Sequence, residues 1–207
     1  MADTEAFREE LYLSRAGGAN IWSGQVNPQL AAAVEGLPPG RALDLGCGEG
    51  GDAVHLARLG WRVTAIDVSP TALARTDATA TAAGVASQVT TEHHDLASSF
   101  PSGRFDLVVA MFFQSPLELP RERVLHRAAE SLDPGGHLVV VEHGSAPTWS
   151  EHHDMEFTTP EDLVALIDLD PARFSPLTME SRSREVTSPD GQSGTVLDSV
   201  VAVRRDR

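Results

Sequence analysis

The sequence predicts an α/β fold: a doubly wound sheet of seven strands, the last of them antiparallel, behind an N-terminal helical cap. Three observations lead there. Apolar strand-like segments alternate with helix-patterned ones from Arg41 to about Leu169, the rhythm of successive strand–helix–strand units. The first strand–helix junction, Asp44-Leu45-Gly46-Cys47-Gly48-Glu49-Gly50-Gly51, is a glycine-rich turn. The chain then closes with two long strand-like segments, Ser175 to Thr187 and Gly194 to Arg204. Between them lies Ser188-Pro189-Asp190-Gly191-Gln192, and two consecutive strands joined by a turn form an antiparallel hairpin.

Each element follows from local signals. Thr4 to Arg15 reads as an amphipathic helix with Phe7, Leu11 and Tyr12 on one face, ended by the turn Ala16-Gly17-Gly18-Ala19-Asn20. Asn27 is an N-cap and Pro28 a first helical residue, for a helix reaching about Glu35. Arg41 to Leu45 is the first strand, and Ala53, Val54, Leu56 and Ala57 follow at helical spacing until Gly60. Trp61 to Asp67 is the second strand, and Val68-Ser69-Pro70 opens a helix to Ala83. The more polar Gln88 to His93 suits a sheet edge, with His93 and His94 read as surface or strand-end residues. Phe105 to Met111 is nearly all apolar, as a central parallel strand should be. Leu119-Pro120 begins a helix to about Leu132, and Asp133-Pro134-Gly135-Gly136 is a tight turn before the strand His137 to Glu142. Thr159-Pro160 starts the last helix, which runs to about Leu169. The expected organisation is one domain over 1–207, with a cap at 1–40 and the α/β core at 41–207.

Charge decides what the glycine turn accommodates. Gly46, Gly48 and Gly51 complete a G-x-G-x-x-G pattern, the dinucleotide fingerprint. A pyrophosphate is anionic, however, and Asp44 and Glu49 would sit beside it. S-adenosylmethionine carries an ammonium and a sulfonium with one carboxylate, which suits an acid-containing loop at a helix N-terminus better. Asp44-Leu45-Gly46-Cys47-Gly48-Glu49-Gly50 resembles the first motif of class I S-adenosylmethionine-dependent methyltransferases, a family with a Rossmann-like sheet. The Leu-x-Pro-Gly-Gly-x-Leu pattern from Leu132 to Leu138 is common in that family. The Trp22-Ser23-Gly24…Asn27-Pro28 segment loosely resembles small methyltransferases of the tellurite-resistance and thiopurine types.

The resemblance implies transfer of a sulfonium methyl to an acceptor, with S-adenosyl-L-methionine as cofactor. Asp44 would orient its ammonium, while Gly46, Cys47 and Gly48 give close backbone approach. Asp67, with Val68 beside it, would bind the ribose hydroxyls, Asp95 and Leu96 would hold adenine, and Met111 would lie against the adenosine or methyl. Trp22 is expected as a lid over the methyl. Tyr12, Phe112 and Gln114 are candidates for the acceptor pocket. A thiol or metalloid anion needs no catalytic base; a hydroxyl or amine does, and His143, His152 or His153 is the candidate. Adjacent His152 and His153 point differently on most backbones, so no metal site is expected. Two alternatives stand beside this reading: an NAD-linked oxidoreductase, and a non-catalytic S-adenosylmethionine-binding protein.

Composition narrows the partners. The chain has 207 residues and a net charge of −14, and its 16 basic residues are all Arg. Such a balance disfavours a nucleic-acid partner, which needs clustered positive charge, and favours a small-molecule acceptor. The single Cys47 excludes an internal disulfide. There is no long apolar run, and the acidic N-terminus lacks an apolar signal core. No membrane is therefore expected as a partner, and the expected location is cytoplasmic.

Overall fold

The computed structural model describes residues 4–14, 21–22, 24–114, 119–147, 149–150, 156–188 and 191–206. Its strands are β1 (Arg41–Leu45), β2 (Arg62–Asp67), β3 (Val89–His93), β4 (Phe105–Met111), β5 (Leu132–His143), β6 (Phe174–Thr187) and β7 (Ser193–Arg205). Its α-helices are α1 (Thr4–Ser14), α2 (Pro28–Ala33), α3 (Gly51–Arg58), α4 (Pro70–Ala82), α5 (Arg121–Glu130) and α6 (Pro160–Ile167). The strands form one sheet in the order β3-β2-β1-β4-β5-β7-β6. The pairs among β1 to β5 are parallel, while β7 is antiparallel to both β5 and β6. Strand order reverses between β1 and β4, so their carboxyl ends open a crevice there.

Strand alternation divides the core between the two faces. Ala42 of β1 joins Leu30 and Val34 with Val54, Leu56 and Leu73, the side covered by α2, α3 and α4. Leu43 and Leu45 join Leu125, Ala128, Leu163 and Ile167, the side covered by α5 and α6. Leu56, Leu125 and Leu163 are wholly buried, and each such side chain contributes roughly 1.5–3 kcal/mol. β3 stands at the edge with no fully buried residue, as its polar sequence requires.

Local chemistry explains where the elements begin and end. Asn27 caps α2 by accepting from Gln29 N, Ser69 caps α4 by accepting from Ala72 N, and Thr159 forms a capping box with Asp162 on α6. Three helices are shorter than their apolar pattern suggests. Backbone turns end α2 at Ala33, and left-handed Asp168 (φ 47°) ends α6 at Ile167. The helix α5 stops at Glu130 because Leu132 already pairs with Phe105 of β4. The expected tight turn at Asp133–Gly136 is a bulge within β5: Leu132 pairs Phe105, His137 pairs Leu107, and the residues between loop out opposite Asp106.

Candidate active site

The glycine turn is held by its own backbone. Gly46 N and Cys47 N both donate to Ile66 O at the end of β2 (2.9 Å each), and Gly50 N donates to Cys47 O (3.0 Å). The Thr76 hydroxyl on α4 donates to Gly48 O (3.0 Å) and lies 3.6 Å from Cys47 Sγ. Burial pushes the Cys47 thiol well above its ordinary pKa, so it remains a protonated packing residue. Gly50 at φ 82° could carry no side chain: a Cβ there would lie 2.9 Å from Thr76 Cγ2 and 3.1 Å from Thr76 Cα.

Acidic residues tie the N-terminal segment to this turn. The Glu49 carboxylate, 4% exposed, accepts from Ile21 N (3.1 Å) and Trp22 N (3.0 Å) and pairs with Arg75 (2.5 Å). Its charge is thus engaged by the protein, while the residue still lines the cavity beside the turn. Asp52 accepts from Asn27 N (2.7 Å). Trp22 Nε1 donates to the Tyr12 hydroxyl (3.1 Å), and Arg75 donates to Tyr12 O and lies over its ring. Glu9 of α1 accepts from Ser69 Oγ, Thr71 N and Thr71 Oγ1 at the start of α4. Trp22 remains half-exposed above the turn, and a Cβ at Gly48 would lie 3.4 Å from its ring and 3.2 Å from the Tyr12 hydroxyl.

Beneath this cover lies a cavity of about 540 Å³ at the carboxyl ends of β1, β2 and β4. Gly46, Cys47, Gly48, Asp67 and Val68 line one side, and Asp95, Leu96 and Met111 line another. Tyr12, Trp22, Phe112, Gln114 and His143 complete the set that the sequence singled out. Asp44 lies behind the turn, 2% exposed, and does not line the cavity. His152 and His153 lie outside the described residues. Among the described residues no three His, Cys, Asp or Glu side chains are grouped to hold a metal ion.

Buried carboxylates dominate the electrostatics near the turn. Asp67 accepts from Gly48 N (3.1 Å) and Ser69 N (2.9 Å). Asp44 Oδ2 is buried with no hydrogen-bond partner among the described residues. Desolvation, followed by the Asp52 and Asp67 charges, raises Asp44 well above the usual carboxylate range. Desolvation raises Asp52 to about 6 against the Asn27 N–H, and raises Asp67 against its two amides and Arg8. Asp95 braces its own turn, accepting from Ala97 N and Ser98 Oγ (3.0 Å each).

The opposite end is aromatic. Phe112 holds a left-handed backbone (φ 51°), a conformation a bulky residue adopts at a cost of about 1–3 kcal/mol and one that clusters at functional sites. Its ring stacks on His143 at 4.0 Å between centroids, and the Arg184 guanidinium lies 5.5 Å from it. Arg184 is fixed by a bidentate pair with buried Asp198 (2.8 and 3.0 Å). Desolvation lowers the His143 pKa below the ordinary histidine value; Asp198 opposes that shift and Arg184 adds to it. His143 is therefore a neutral imidazole at neutral pH.

Several cavity residues were not legible as such. His94, read as a surface or strand-end residue, directly follows β3 and also stands on the cavity wall, bonded to Ser99 Oγ (2.9 Å) and Glu92 (3.2 Å). Arg8, Asn27 and Asp52 reach the cavity from the cap and α3, and Leu119 and Arg184 reach it from the opposite end, where Phe113 also lines it. The one advance signal was the hairpin turn, whose register places Asp198 opposite Arg182 and so within reach of Arg184.

Comparison with known proteins agrees with this geometry. Residues 42–136 match the family model described as a methyltransferase domain. A probable thiol methyltransferase 2 from Arabidopsis thaliana is 34% identical over 129 residues, covering 60% of this chain and 57% of the relative. A ribosomal RNA small subunit methyltransferase C from Chromohalobacter salexigens is 35% identical over 134 residues, covering 61% of this chain and 39% of the relative. The chain spans about half the length of the curated relatives it matches. The structure reported under "Conversion of a Disulfide Bond into a Thioacetal Group during Echinomycin Biosynthesis" shares the fold, with a TM-score of 0.75 at 24% identity over 99% of this chain and 93% of that one. The turn, the sheet order and the matched residues make 42–136 a methyltransferase domain of the class I S-adenosylmethionine-dependent family.

Proposed function

We propose that this chain transfers the methyl group of S-adenosylmethionine to a small-molecule acceptor, an aromatic or apolar thiol. The observation that carries the reading is the cavity beside the glycine turn, whose wall brings the carboxyls of Glu49, Asp52 and Asp67 together with Asp95, Leu96 and Met111. An ammonium group meets countercharge there, whereas a pyrophosphate meets like charge, which disfavours a dinucleotide cofactor. Asp67 keeps lone pairs for the ribose hydroxyls beyond its two amide bonds. Asp95, Leu96 and Met111 would hold the adenosine portion.

When bound, the cofactor supplies a methyl already activated by its sulfonium. The protein's part is to hold the acceptor close and in line and to exclude water, which Trp22 and Tyr12 do from above. Phe112, Phe113 and Leu119 give the acceptor an apolar seat. His143, neutral and stacked on Phe112, accepts the proton of an acceptor that arrives protonated. The thiol class is supported by the Arabidopsis relative and by the apolar seat. A ribosomal RNA acceptor, suggested by the Chromohalobacter relative, is the second reading, and the net charge of −14 opposes it.

The test is a thermal-shift titration with S-adenosylmethionine, S-adenosylhomocysteine and NADH, followed by assay of S-adenosylhomocysteine release with thiophenol, phenol and ribosomal RNA. Stabilisation by the first two ligands and turnover with thiophenol are expected. Stabilisation by NADH alone, or turnover with RNA alone, would overturn the reading.

A further inference from the structure

Behind the acceptor end of the cavity lies a buried polar chain that the proposed function does not yet use. Glu142, at the carboxyl end of β5, is wholly buried and paired with Arg121. Its Oε2 accepts from Gln114 Nε2 (3.0 Å). A carboxylate only accepts hydrogen bonds, so this contact fixes which end of the Gln114 amide is nitrogen. The Gln114 backbone is occupied as well: its N–H donates to Phe112 O (2.8 Å) and its carbonyl accepts from Arg8 (2.5 Å). Among the described residues Gln114 Oε1 has no partner, and Gln114 lines the cavity.

Arg121 breaks a local rule in order to do this. It is the first residue of α5, where the positive end of the helix dipole disfavours a cation, and Pro120 before it offers no side-chain cap. Its Nε is also buried without a partner among the described residues. A locally unfavourable placement of this kind marks a functional demand more often than a packing one.

We propose that Glu142, braced by Arg121, is a positioning residue that locks the Gln114 amide with its oxygen toward the cavity. That oxygen selects acceptors carrying an O–H or N–H next to the methylated atom. The inference rests on the small-molecule reading above and adds a hydrogen-bond donor to the acceptor's description.

Calorimetric titration of the S-adenosylhomocysteine-loaded protein with 2-mercaptophenol and 2-methoxybenzenethiol tests it, because the two probes differ by one donor. Wild type should bind 2-mercaptophenol about tenfold more tightly, the worth of one neutral hydrogen bond. Gln114→Leu should bind the two equally. Glu142→Gln, which can hold the Gln114 amide in either orientation, should cut the preference roughly threefold or more while leaving affinity for the methoxy probe unchanged. A merely structural role for Glu142 would weaken both probes together and overturn the assignment. Equal binding of both probes by wild type overturns this inference alone, whereas binding of neither overturns the acceptor class as well. Should Glu142→Gln not fold, hydrogen exchange at the Gln114 side-chain NH2, assigned by its loss in Gln114→Leu, decides: slowed exchange supports the lock and free exchange refutes it.

Discussion

Replacing Asp67 with Asn tests the cofactor end of the cavity most directly. Each oxygen of the Asp67 carboxylate already accepts one backbone amide, from Gly48 at 3.1 Å and Ser69 at 2.9 Å, and each keeps a second lone pair. Those two remaining sites are the ones assigned to the ribose hydroxyls. A hydrogen bond to a charged acceptor contributes about 1.5–3 kcal/mol. Asparagine keeps the shape, but one oxygen becomes an NH2 group that can accept from neither a hydroxyl nor the amide facing it. One ribose bond is lost, the other falls to neutral strength, and the amide at Gly48 or Ser69 is left without an acceptor. Cofactor affinity should weaken by about 2–4 kcal/mol, roughly thirty- to several-hundredfold. Calorimetry with S-adenosylhomocysteine measures it, with a thermal melt of the ligand-free variant to confirm folding. A folded Asp67→Asn protein that binds within about threefold of wild type would refute the ribose assignment.

Three further outcomes are expected. Glu49→Ala removes the acceptor of Ile21 N and Trp22 N and leaves Arg75, itself largely buried, without its partner; urea unfolding should show a loss of roughly 3 kcal/mol, and a change below about 0.5 kcal/mol would refute the tie between the N-terminal segment and the turn. Burial raises the Asp52 carboxyl to about 6, so its contribution to stability is present below its ordinary 3.8 and is lost as pH rises through 6. His55, His137 and His143, with lowered values, oppose it in the same window, so the comparison is with Asp52→Asn. Between pH 5 and pH 7.5 wild type should lose about 1.4 kcal/mol relative to that variant, and a relative gain would contradict the burial argument. Finally, His143→Ala should lower kcat for phenol by about a hundredfold or more while changing turnover of the thiophenolate anion by less than about threefold; equal losses on both would show that His143 only packs against Phe112.

The sequence alone determined the sheet and the cavity wall beside the glycine turn, because both are written in local chemistry. Strand periodicity, the caps Asn27, Ser69 and Thr159, and the breaker Gly60 act within a few residues, and each does in the structure what its type requires. The glycine turn and the acid ending β2 are likewise contiguous signals, which is why Gly46, Gly48 and Asp67 were found together at one crevice. Boundaries set by tertiary pairing were missed: β5 begins at Leu132 because Phe105 of β4 pairs with it, not because of any signal in Asp133-Pro134.

What only the tertiary structure decided is the use of each charge. Glu49 stands on the cavity wall as an acid of the glycine turn, and Ile21, Trp22 and Arg75 engage its charge across 26 to 28 residues of sequence. The pair Arg121 with Glu142, and the orientation of Gln114, likewise arise between segments apart in the chain. A charged side chain follows whichever partner the fold brings within a few ångströms, and sequence spacing carries no record of that partner once the backbone has turned.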